Sequence, residues 1–343
     1  MKENSQLRHV VTLIFLIPIP GCWFPQEEEV VVYAALDREF SEPILQQFEE
    51  ETDIDVLASY DVESTKSVGL TSQLMLERDR PRCDLFWNNE ILNTLRLQKQ
   101  GVLDVYRSPQ ADHYPSQFVS ADEYWHGFAA RVRVLIVNTD LVAAEERPDS
   151  IHDLLDPKWQ GKVGIAKPLA GTTATHAACL FAAWGEEEAT DFFARLKQNA
   201  KVLSGNKQVA QAVARGELAF GLTDTDDAWI ERTVNAQPVE IVFPDQAEDQ
   251  MGALFIPNTL AVIKGGPNAE KARKLVDYLL QAKTEERLAQ ADGAQFPLHE
   301  EATVTSPAAP EEPLKRMDID FADAMASWDG AMAFLTEAFA TAE

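Results

Sequence analysis

VVVYAALDREF, residues 30–40, sets seven apolar or aromatic residues in a row, stops them at Asp37, and then changes period. An apolar run of that length without polar alternation predicts a strand buried on both faces, as in a parallel sheet covered by helices. Phe40, Ile44, Leu45 and Phe48 then recur at helical spacing, with Pro43 tolerated near the first turn. Downstream the cycle repeats. Ile54–Ala58 reads as a strand, and Ser64 or Thr65 as the cap of a helix running through Leu76. Cys83–Trp87 reads as the third strand, and Ile91–Gln100 as a helix closed at Gly101. Such alternation implies right-handed βαβ crossovers and the α/β class. Each strand ends in polar residues, so Asp37 and the pair Asn89 and Glu90 fall on the sheet edge where such proteins bind ligands.

Upstream, Lys2, Arg8 and His9 precede the apolar run Val10–Ile19 and then Pro20, Gly21 and Cys22. The run is too short to span a bilayer and suits a signal-peptide core over residues 1–21. Ile19-Pro20-Gly21-Cys22 resembles a bacterial lipobox, which makes Cys22 the candidate lipidation site and residues 22–29 a tether. The 343 residues, 45% hydrophobic and 25% charged, suffice for two domains with cores. A formal net charge of -26 argues against nucleic acid or an anionic membrane surface as partner, because both require a positive field. Cys83 and Cys179 stand in apolar contexts and read as buried small hydrophobes, not as a disulfide framework. The six histidines show no metal-ligand spacing and read as structural or surface residues.

Beyond residue 124 the pattern changes. WHGFAARVRVLIVNTD, residues 125–140, combines Arg131 and Arg133 with a long apolar strand and reads as a crossing into a second lobe; ALFIPNTLAVI, residues 253–263, reads as the return. Ser150–Val163 reads as a capped helix, a turn and a strand, and KPLAGTTAT, residues 167–175, as a loop that delivers Gly171, Thr172 and Thr173 at a helix start, where free amides suit an anion. Asn206 opens another helix. In LAFGLTDTDDAWIER, residues 218–232, a strand ends in Asp224, Asp226 and Asp227. These carboxylates read either as a cation site or as caps and first-turn acids of the next helix. Trp87 and Trp229 read as core residues, with lining of the cleft as the alternative. Ala302–Pro313 reads as a linker and Phe321–Phe339 as a terminal amphipathic helix.

In their order and spacing, VVVYAALDREFSEPILQQFEEETDI, CDLFWNNE, FAARVRVLIVNT, LLDPKWQGKVGIAKP, NKQVAQAVARGELAFGL and FPLHEE resemble the iron(III)-type periplasmic binding proteins of ABC transporters over about residues 30–300. The resemblance implies an α/β, two-lobed periplasmic-binding-protein clamshell (type II) with two crossing strands at the hinge. Lobe 1 would span residues 30–130, lobe 2 residues 131–253, the return to lobe 1 residues 254–300, and the linker with its helix residues 301–343. It implies capture of ferric iron or another small polar solute between the lobes and delivery to a membrane permease, by a monomer at the extracytoplasmic face. Where ferric-binding members place a histidine this chain has Asp37; where they place a carboxylate it has Asn89, with Glu90 next; their tyrosine pair falls on Asp226 and Asp227. Family positions for a synergistic anion correspond to Arg131 or Arg133, the Gly171–Thr173 loop, Asn206 and Asp224.

Asp37, Glu90, Asp226 and Asp227 form an all-oxygen set for a hard cation such as ferric, calcium or magnesium ion. They equally suit an organic cation, or a zwitterion such as an aminophosphonate, or a sugar phosphate whose acid group meets an arginine fork. No resident cofactor is expected apart from that solute. Paired carboxylates also occur in glycoside hydrolases, but GxSxG, HExxH, GxxxxGK[ST] and GxGxxG signatures are missing, so an enzyme is the rival reading and a sensory module a third.

Overall fold

The computed structural model describes residues 28–61 and 68–340. The signal-peptide, lipobox and Ser64 or Thr65 cap readings lie outside them. Five strands build the first sheet: β1 (Glu29–Ala34), β2 (Asp55–Tyr60) and β3 (Leu85–Asn88), with the N-terminal half of β4 (His126–Asn138) and, late in the chain, β9 (Phe255–Val262), in the order β2-β1-β3-β9-β4. β1 pairs in parallel with β2 and β3, whereas β9 runs antiparallel to both neighbours. Helices α1 (Arg38–Thr52), α2 (Val68–Glu77) and α3 (Leu92–Lys99) make the crossovers. The α/β alternation expected for this half is therefore present.

The second sheet begins where β4 leaves the first. Its residues 126–132 pair with β9, and Arg133–Asn138 pair instead with β7 (Phe220–Asp224) and β8 (Val239–Val242). All thirteen of its residues are buried, as a strand running through two cores requires. Parallel strands β5 (Val163–Ala166) and β6 (Ala200–Leu203) extend this sheet beyond β7, served by α4 (Gly171–Trp184), α5 (Glu186–Asn199), α6 (Asn206–Ala214) and the short α7 (Thr225–Trp229). Ser150 and Asp153 do form a reciprocal capping box, though on a 3-10 turn, Ile151–Leu155, and not on an α-helix. The return crossing is narrower than the apolar run suggested. β9 starts only at Phe255, and the hinge itself is held by the Arg133 N–H donating to Leu254 O at 2.9 Å.

α8 (Ala269–Leu279) and α9 (Ala282–Gln290) cover the first sheet, and α10 (Phe321–Phe339) is the last element of the described residues. Ala302–Pro313 is not a free linker. Ser306 is buried and donates to Ala294 O at 2.5 Å, Ala308 is buried, and further on Arg316 bridges Ala253 beside the hinge. There Gly252 has φ +85°, and a Cβ on it would lie 2.7 Å from Lys315 O, so only glycine lets this strap lie so close. α10 then packs on α4 and α5 of the second lobe, while Trp328 takes the Arg96 guanidinium of α3 over its ring at 5.5 Å.

Candidate functional site

Loops after parallel strands β5, β6 and β7 bring Gly171–Thr173, Asn206 and Asp224–Asp227 to one edge, facing the ends of β1 and β3 across the hinge. β4 supplies the floor. Antiparallel register sets Arg133 opposite Asp224, and their side chains meet at 2.7 Å. Thr172 donates to Asp224 Oδ2 at 2.5 Å, and Asn206 Nδ2 reaches the same oxygen at 3.0 Å. Asn206 also accepts from Thr173 at 2.9 Å, and Arg133 lies 3.3 Å from both threonine hydroxyls. Asp224 precedes α7 in the cap position, yet its side chain caps nothing. Burial works to raise its carboxyl, but Arg133, Arg131 and Thr172 outweigh burial and hold it below the ordinary carboxylate range.

Two residues earlier on the same face of β4, Arg131 lies 3.3 Å from Asp226 and 3.8 Å from Asp224, and donates to the Asn89 carbonyl in the first lobe. Arg131 is buried, which disfavours its charge; Asp226, Asp224, Asp37 and Asp227 reverse that and fix the guanidinium as a cation. Its Nε has no hydrogen-bond partner. Above it a cavity of about 60 Å³ is bounded by Asn89, Arg131, Lys167, Ser204, Asp227 and the first turn of α4. Gly171 there has φ +58°, which glycine tolerates, and Ala170 offers those first amides no capping side chain.

Asp224, Asp226 and Asp227 present carboxylate oxygens within 4.8 Å of one another. Asp37 stays outside that cluster and acts on it through its charge on Arg131. Glu90, expected among the cation ligands, is a correction. Its two oxygens accept the Leu92 and Asn93 N–H groups at the start of α3, at 2.7 and 3.0 Å, and the Thr175 hydroxyl of α4 at 2.7 Å. It caps a helix and latches the two lobes at the base of the cleft. Trp87 is fully buried against Phe128, and Trp229 packs on the core; neither bounds the cavity. Lys167 and Ser204 were missed, although both follow strand ends and the same edge rule locates them.

Residues 88–324 match the family described as bacterial extracellular solute-binding protein. The chain belongs to that family. This solute-binding protein is 24% identical over 279 residues to the "Major ferric iron-binding protein" of Neisseria meningitidis serogroup A, covering 80% of this chain and 82% of the relative. Its fold superposes on iron-bound HitA from Pseudomonas aeruginosa with a TM-score of 0.80 at 20% identity, covering 90% of this chain and 99% of that one. On AfuA from Actinobacillus pleuropneumoniae, crystallised with exogenous fructose-6-phosphate, the TM-score is 0.78 at 23% identity, covering 91% and 99%. The two-lobed clamshell with its hinge crossings is thereby the fold of this solute-binding protein as well. Family members of this kind serve ABC importers, binding a small ligand and working with a permease.

Proposed function

We propose that the cargo is a small organic anion, a phosphate or phosphonate ester that also carries hydroxyl or amino groups, and not a bare metal ion. The observation that carries this reading is Arg131, lodged between Asp224 and Asp226. A ferric ion bound by these aspartates would sit within a few ångströms of a fixed guanidinium and find no tyrosinate to compensate. An ester meets matching groups instead. Its acid oxygens take the open first turn of α4, Lys167 and the unpartnered edge of Arg131, while Asp227 accepts from hydroxyl or ammonium groups. The relative crystallised with fructose-6-phosphate supports the class, and the iron-binding relatives name the competing cargo.

On this reading the protein binds and hands over without catalysis, as a monomer in the periplasm anchored through Cys22. Thermal unfolding of the purified chain with fructose 6-phosphate, 2-aminoethylphosphonate, or ferric citrate tests the cargo, because a ligand of the folded state raises the midpoint. An organophosphate should raise it, and Asp226→Asn with Asp227→Asn should remove that rise. A rise with ferric ion alone would replace the ester by iron.

A further inference from the structure

On the first lobe, away from the cleft, a second cluster forms from residues far apart in the chain. His113 closes the 3-10 turn Pro109–His113, and His299 follows the extended Phe296–Leu298 segment, whose Phe296 bridges Ala130 of β4. The Glu300 N–H donates to His113 O at 2.9 Å, so the backbones that carry the two imidazoles are pinned to each other. The rings stack at 4.9 Å between centroids, and Glu301 brings a carboxylate oxygen to 3.7 Å from His113 Nδ1. One ring nitrogen from each histidine and one Glu301 oxygen lie within 4.8 Å of one another.

His299 is buried to 4% exposure and packs edge-on against Tyr114. Its Nδ1 accepts the Glu301 N–H at 3.1 Å, and its Nε2 is buried without a hydrogen-bond partner. While Nδ1 accepts that amide the neutral ring holds its proton on Nε2, so a metal is bound by His299 in exchange for the Glu301 N–H or for the Nε2 proton. Glu286 and Glu300 add negative potential nearby. The His113 and Glu301 side chains are 39% and 67% exposed, so both can swing to draw the three ligand atoms together.

We propose that His113, His299 and Glu301 bind a divalent transition metal, with solvent in the remaining position. Two imidazoles and one carboxylate suit zinc and its neighbours better than calcium or magnesium, which prefer oxygen ligands throughout. The ion would staple the Pro109–His113 turn to the segment that leaves the first lobe. It is independent of the solute in the cleft.

The test is zinc uptake by the untagged full chain in equilibrium dialysis at neutral pH and physiological salt, with visible absorption of the cobalt-substituted protein as a second readout. A single tightly bound zinc per chain is expected. His113→Ala and Glu301→Gln, both at partly exposed positions where folding tolerates them, should each weaken it at least tenfold and dim the tetrahedral cobalt bands. The pair Asp226→Asn and Asp227→Asn should leave zinc binding as it is. Zinc uptake that survives His113→Ala, that is lost in the aspartate pair, or that never exceeds weak multiple binding overturns the site.

Discussion

Three hydrogen-bond donors, from Arg133, Thr172 and Asn206, converge on Asp224, and Arg131 stands behind them. Asp224→Asn keeps the shape and removes the charge, which leaves two buried guanidinium groups short of a partner. Breaking one side of such a buried pair costs about 3–5 kcal/mol, so urea unfolding should register a loss of that size. The pH dependence has a definite sign. Because the folded state holds the Asp224 carboxyl below its ordinary value of 3.8, its stabilisation is complete above that pH and is lost as pH falls further. In Asp224→Asn the acid loss should be shallower than in the parent when unfolding is followed below that pH. Sequence placed Asp224, Asp226 and Asp227 together at the end of β7 because strand ends share one edge in any α/β sheet. It left Arg133 unpaired with Asp224, since that contact depends on β4–β7 register, which a uniformly apolar strand does not encode. It misassigned Glu90 because a carboxylate just before a helix looks the same whether it caps that helix or faces a solute. His113 and His299 escaped for a related reason, since only tertiary folding makes them neighbours.

At the level of elements, the crossing strand β4 carries its own irregularity. A bulge at Ala129, with φ +41°, shifts the pairing with β9, and three backbone amides around it are collected by one side chain. Glu285 of α9 accepts the Ala129 N–H with one oxygen and the Leu298 and His299 N–H groups, at 2.8 and 2.6 Å, with the other. Burial pushes this carboxyl up to about 7, against the pull of those amides. A folded state that holds a proton the unfolded chain has released is favoured at the lower pH. The contribution of Glu285 to stability is therefore fully present below its ordinary 4.5 and is lost as pH rises through about 7. Glu285→Gln sets an NH₂ group against one of the amides and should cost about 1–3 kcal/mol. The difference between its melting temperature and that of the parent should shrink as pH rises from 5 to 8, since the ionised parent bears a growing burial cost while the amide does not. A difference independent of pH would mean that the carboxyl keeps an ordinary basicity. Helices were the legible elements, because their apolar faces recur at a fixed period. The strap over 302–313 was misread as a linker because Ala, Pro and Glu composition describes backbone solubility and is silent about the hinge surface it covers.

On the scale of the molecule, the two lobes share three chain connections among the described residues: β4, the Ala253–Leu254 return and the strap that leads into α10. α10 buries Phe321, Trp328, Leu335 and Phe339, each within 8% of full burial. At roughly 1.5–3 kcal/mol per large apolar side chain, removing it should cost the second lobe several kcal/mol. A chain ending at Pro313 should unfold at markedly lower urea concentration than the full chain, with tryptophan fluorescence as the probe; an unchanged midpoint would make α10 an ornament on an independent lobe. The α/β class was readable because strand and helix alternate through the first lobe, and the clamshell followed from the family resemblance, whereas the docking of the last helix was not readable, since amphipathicity reveals a buried face without naming its partner. That docking also decides where the two ends of the described chain travel. β1 starts the chain's described part in one lobe and α10 finishes on the other, against α5 through Phe193 and Lys197. Fluorophores joined at Glu28 and Ala340 would ride on opposite jaws, so energy transfer between them would turn each solute captured into an optical signal without any label entering the cleft.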